Sequence, residues 1–153
     1  MIKEFLLLSI FILFLNNCGY TPIYSKKSLN FQINKIETIG EIEANKMLLS
    51  KLKIYRNNTD AERSYNLIIN SKSVKITTAK DKKGNPTRFS INLTVAIKIL
   101  DDLNNETEKI FSESSTYDNS ANKFDLRKYE DNLVKNMTEK IFSEMILFLQ
   151  TKN

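Results

Sequence analysis

The chain has 153 residues and a formal net charge of +5; it contains no histidine, and Cys18 is its only cysteine. Without histidine or a second thiol it cannot build a serine–histidine triad, a cysteine–histidine pair or nearly any transition-metal site. With three glycines in all, it has no glycine-rich phosphate loop.

The first segment is an export signal by composition. Lys3 supplies a short positive start that Glu4 partly cancels, and Phe5 to Leu15 is an apolar run of eleven residues containing one serine. At about 1.5 Å per residue, such a run is too short to cross a bilayer core of about 30 Å as a helix. It has the length of the apolar region of a signal peptide. Leu15-Asn16-Asn17-Cys18-Gly19 then resembles a lipobox, with Asn17 where a small residue is usual. The resemblance implies that residues 1–17 are a lipoprotein signal peptide and that Cys18 becomes an acylated N-terminus. The competing reading is an uncleaved hydrophobic anchor. A lone thiol in an exported chain has no internal disulfide partner, and acylation accounts for it. Two or more acyl chains make a stable anchor. Gly19, where an aspartate would signal inner-membrane retention, implies sorting to the outer membrane, lipid-anchored on the periplasmic side.

Removing residues 1–17 leaves 136, enough for one domain with a real core and no staples. The mature charge stays +5, because Lys3 and Glu4 leave together. That charge suits an acidic partner such as a phosphorylated lipid, or it serves solubility alone.

Residues 18–30 read as an extended leader, since Pro22 disfavours helix and no period is present. Residues 31–150 read as a single domain. Phe31 to Ile39 is a strand whose phase shifts at Ile36. Glu41 to about Arg56 is a helix, with Leu48, Leu52 and Tyr55 at helical spacing, Ile42 and Leu49 beside them, and Lys46, Lys51 and Lys53 facing away. Tyr65 to Ile76 is a strand; its phase changes at Val74 and Ile76, as a bulge would produce. Lys80 to Pro86 is a turn. Thr87 to Leu100 alternates clearly: Phe89, Ile91, Leu93, Val95, Ile97 and Ile99 are apolar, and Ser90, Asn92, Thr94 and Lys98 are polar. Asp101 to Asn105 is a turn, and Lys109 to Tyr117 a fourth strand with Phe111 and Tyr117 on one face. Phe124 to Leu149 is a long helix with the stripe Leu126, Tyr129, Leu133, Met137 and Ile141. Its final turns are apolar nearly all round. Either they are buried between the sheet and the first helix, or they present a patch to a partner.

The order β-α-β-β-β-α implies one parallel pair followed by an antiparallel meander. The strands have one apolar side, so both helices pack there. The fold class is α+β: a two-layer sandwich, with two helices on one face of a four-stranded mixed sheet.

No nucleophile, base and orienting group converge in this pattern, so the chain reads as a binding or assembly module and not an enzyme, with no cofactor, no metal and no nucleic-acid partner. Asp101 and Asp102 could serve acid–base chemistry, but a solvated turn explains them more simply. The Asn-x-Ser/Thr motifs at Asn57, Asn92, Asn105 and Asn136 arise easily by chance in an asparagine-rich chain. The candidate binding site is Lys80, Lys82, Lys83 and Arg88 around the Gly84-Asn85-Pro86 turn. Several cations on one loop can grip phosphate, with arginine able to do so through two bonds; the same residues also suit a merely solvated tip.

Cys18-Gly19-Tyr20-Thr21-Pro22-Ile23-Tyr24 resembles the start of the LptE family of lipopolysaccharide-assembly lipoproteins. Thr87-Arg88-Phe89, the element order and the length agree with it. The resemblance implies an outer-membrane lipoprotein that plugs and helps assemble the LptD barrel during lipopolysaccharide transport to the cell surface. Its implied partners are an LptD-type barrel, lipopolysaccharide, and the inner leaflet of the outer membrane through the acyl chains on Cys18. Lys80, Lys82, Lys83 and Arg88 are then the expected lipopolysaccharide contacts. The alternative is an auxiliary lipoprotein of an ABC-type lipid transport system.

Overall fold

The computed structural model describes residues 30–56, 58, 61–103 and 105–152. Cys18, the signal segment and the leader lie outside the described residues. Six main elements follow the expected order: β1 (Phe31–Gly40), α1 (Ile42–Leu52), β2 (Arg63–Lys80), β3 (Pro86–Asp101), β4 (Glu106–Asp118) and α2 (Lys123–Thr151). A single 3-10 turn, Lys53–Tyr55, extends α1 and carries Tyr55 into the core.

The sheet runs β1-β2-β3-β4. β1 and β2 are parallel, and the other pairs antiparallel. The expected α+β sandwich is the observed one, with both helices on the apolar face. β3 explains why. Leu93, Val95, Ile97 and Ile99 are fully buried, while Asn92, Thr94, Ala96 and Lys98 on the reverse side are not. Burying one such side chain contributes about 1.5–3 kcal/mol, so a single covered face suffices to organise the sheet. Leu48 and Leu52 of α1, and Ile141, Met145, Ile146 and Leu149 of α2, complete the core. The apolar end of α2 is therefore buried, and of its large side chains only Leu147 is substantially exposed.

Phase was a good guide in β1 and a misleading one in β2. The β1–β2 register shifts between Ile33 and Lys35, which returns Ile36 to the core side. No bulge occurs at Val74 and Ile76. They lie in regular register on the uncovered face, and the irregularity comes later, between Thr77 and Lys80. Ile42 also departs from expectation: it sits in the first turn of α1 and is exposed.

Both β-hairpins close with the same clasp. Asp81 accepts the backbone N–H groups of Lys83 and Asn85 and the Asn85 side-chain amide, while its own N–H bonds the Asn85 carbonyl. Asp101 does the same with Leu103 and Asn105. The backbone and side-chain bonds of Asn105 hold the Asp101 carboxyl below the usual carboxylate range. The Asn85 side chain and backbone do so for Asp81. Asp102 accepts from the backbone N–H and hydroxyl of Ser64. These acids are turn and strand fasteners.

β1 ends at Gly40, whose φ of +95° suits glycine; a Cβ there would stand 1.9 Å from the Ser71 carbonyl oxygen. Gly84 also has positive φ, but nothing lies within 4 Å of its Cβ position. Gly84→Ala should cost only the left-handed conformational penalty of about 1–2 kcal/mol. Gly40→Ala should cost clearly more, because a backbone clash is added. Urea unfolding of both variants checks this; equal losses, or the reverse order, would contradict it.

Candidate cationic hairpin tip

The β2–β3 turn lies at the end of the sheet where β2 extends past β1. Lys80, Lys82 and Lys83 are exposed, and among the described residues none of the three has a carboxylate partner. The Asp81 clasp shapes the turn, so its lysines project from an ordered backbone. Arg88 is different. It lies on the uncovered face of β3, and its Nε donates to Asp118 at 2.8 Å. Three of the four expected residues are thus free cations on one loop, while the fourth already holds an acid.

The start of α2 joins this end of the molecule. Asn119 donates from its backbone to the Thr87 carbonyl at 2.8 Å and from its side chain to the Pro86 carbonyl at 2.7 Å. Lys123 then donates to Asn119 Oδ1 and the Ser120 carbonyl. Asn122 caps the helix by accepting from Phe124 and Asp125. Phe124, 77% exposed, therefore projects from the same end as the lysine loop. Sequence reading missed Lys123 and Phe124 as neighbours of the tip. The Asn122 cap was a legible signal for the helix start, but nothing local shows that the helix begins beside Pro86.

A charged fastener holds the first turns of α2 to the sheet. The Lys75 ammonium lies 2.5 Å from Glu130 and 4.2 Å from the Phe89 ring centre. Tyr117 donates its hydroxyl to the same carboxylate at 2.7 Å. Burial, and then the bond to Glu130, push the Tyr117 hydroxyl well above its usual range. Burial alone would raise the Glu130 carboxyl, but the bonds from Lys75 and Tyr117 more than offset it, leaving it below the carboxylate range.

The uncovered sheet face is mixed: a self-bonded polar ladder runs along β3 and β4, and Ile39, Val74, Ile76 and Ile110 stand exposed around it. Ser114 donates to Asn92 at 2.6 Å, and Ser90 and Thr94 share hydrogen bonds with Ser114 and Ser112. Among the described residues, no three histidine, cysteine, aspartate or glutamate side chains group to hold a metal ion. No helix there is long and apolar enough to cross a membrane.

A depressed carboxyl contributes stability that is fully present above its unfolded pKa, about 4.3 for glutamate, and lost as pH falls through the lower folded value. Glu130→Gln should therefore lower the melting temperature at neutral pH and flatten the loss of stability below about pH 4.3. Thermal melts across pH 3–7 check it; an unchanged acid limb in the variant would show that the fastener contributes nothing.

No protein-family model and no curated protein matches the chain. Solved structures do. Rare lipoprotein B from Shewanella oneidensis superposes with a TM-score of 0.54 at 16% identity, covering 74% of this chain and 91% of that one. Lipoprotein B from Nitrosomonas europaea gives 0.55 at 14% identity, covering 86% and 90%. A minor lipoprotein from Acinetobacter baumannii gives 0.51 at 13%, covering 76% and 90%. At these identities the likeness is one of fold: this chain has the β-α-β-β-β-α sandwich of several bacterial lipoproteins.

Proposed function

We propose that the mature chain is an outer-membrane lipoprotein that plugs an LptD-type barrel and helps assemble it, contacting lipopolysaccharide on its way to the cell surface. The observation that carries this reading is the shared fold: the neighbours are named as lipoproteins, and Cys18 in this chain follows an apolar export run. The residues suit the role. A plug in a water-filled lumen needs a polar surface, and the hydroxyl and amide ladder of β3 and β4 offers one without unpaired buried groups.

Lipopolysaccharide carries phosphates and acidic sugars. Lys80, Lys82 and Lys83 face solvent and can meet them, and Arg88 can exchange Asp118 for a phosphate. Phe124 offers apolar surface at the same end.

Binding of the mature chain to immobilised lipopolysaccharide tests this reading. The unmodified chain should bind, and added salt should weaken binding. Charge reversal at Lys82, Lys83 and Arg88 should weaken it by about tenfold or more, since each charge-assisted bond contributes about 1.5–3 kcal/mol. A folded triple variant that binds as before would remove the loop from the mechanism. No binding by the unmodified chain would remove the lipopolysaccharide contact altogether.

A further inference from the structure

β1 and β2 do not end together. Their parallel pairing stops at Gly40 opposite Ser71. There the chain turns out of the sheet, and the Glu41 N–H takes the Ser71 carbonyl at 2.9 Å. β2 continues to Lys80 with β3 on one side. On the other side, among the described residues, no strand pairs with residues 72–80. The Ser71 carbonyl points towards β1. Strand alternation therefore aims the backbone N–H and C=O groups of Ser73, Lys75 and Thr77 into the space that β1 vacates. A row of unpaired backbone groups is a template for another strand.

Among the described residues, no proline, bulge or covering strand blocks residues 72–77, and the charges there are Lys72, on the uncovered face, and Lys75. Lys75 points to the covered face, but its ammonium reaches across β3 to Glu130 and Phe89, away from the edge. The register irregularity starts only after Thr77. Beside the edge, a groove of about 730 Å³ opens between α1 and α2; Met47, Ser73 and Val134 line it together with charges of both signs, the acids Glu41, Glu43 and Asp131 and the bases Lys46 and Lys135. On the uncovered face, Val74 and Ile76 are 38% and 45% exposed. An added strand would thus find backbone partners, two β-branched side chains on one face and a groove on the other.

We propose that residues 72–77 form a strand-docking slot for an extended segment of a partner protein, with β-branched residues at its centre and acidic residues at its ends. Charge selects this occupant over a second copy. Residues 72–83 contain five lysines and one aspartate, so self-pairing would set lysine against lysine, whereas acidic ends neutralise Lys72 and the lysines of the turn. Val74 and Ile76 select the centre, since β-branched cross-strand pairs are favourable. The slot is distinct from the lipopolysaccharide contact and does not depend on it.

Fluorescence anisotropy on the mature chain tests the slot. The probe is a labelled peptide of alternating valine and threonine with glutamates at both ends; its counterpart has lysines at both ends. The acidic peptide should bind and the basic one should not. Ser73→Pro and Thr77→Pro each remove an outward N–H and leave the β3 side of the ladder intact. Each should weaken binding about tenfold, the equivalent of one lost hydrogen bond. Val74→Lys, which cannot disturb the backbone, should weaken it as well, and melting temperatures identify the folded variants. Unchanged binding in folded variants, equal binding of the basic peptide, or no binding would each overturn the proposal. So would sedimentation showing a dimer that the same substitutions abolish, or peptide binding that appears only after residues 18–29 are deleted. Those last two outcomes would assign the slot to a second copy or to the chain's own leader.

Discussion

Strand β3 lies between β2 and β4 and buries every second side chain from Ile91 to Ile99, while the residues between them stay in contact with water. With period-two geometry, one such strand fixes which face of the whole sheet must be covered. Both helices then have one place to go. α1 delivers Leu48 and Leu52, and α2 delivers Ile141, Met145 and Leu149, to the same layer. A one-residue slip of β3 would exchange the two faces, so the alternation also fixes register. The other face is left over from this arrangement: its hydroxyl and amide ladder is polar, while Ile39, Val74, Ile76 and Ile110 stand exposed on it.

The part of the sheet that extends past β1 obeys other rules. Past Ser71, β2 has no β1 beside it, and most of its residues are exposed. Order there comes from pairing with β3, from the Asp81 clasp and from the reach of Lys75 to Glu130. The tip can therefore carry three lysines that have no carboxylate partner among the described residues without disturbing the core. Among the described residues, the backbone of residues 72–77 is likewise uncovered on one side.

How much of this was legible depends on which physics left a mark in the sequence. Burial leaves a period, so β3, the layer order and the α2 stripe could be read directly, and so could the phase shift of β1 at Ile36. Exposure leaves none. The extension of β2 to Lys80 leaves no period for that reason, and the apolar Val74 and Ile76, lying on the open face, imitate a bulge. The two Asp-x-x-x-Asn clasps were present in plain sight at Asp81–Asn85 and Asp101–Asn105. Reading them as turns was right, but the shared mechanism shows only when the side chains are seen bonding back. At the tip, the lysine loop was legible as composition. The Arg88–Asp118 pair and the approach of Lys123 and Phe124 join residues far apart in sequence, which no local pattern reports.

We propose above that this sandwich is the lipoprotein partner of an outer-membrane barrel. The most direct test is a mild-detergent purification of the tagged, full-length chain from its native membranes, with mass spectrometry of the co-purifying proteins and of the N-terminal peptide. An LptD-type barrel in stoichiometric amount and an acylated Cys18 at the N-terminus are the expected result. An ABC permease in its place, or an unprocessed N-terminus with no barrel, would contradict it.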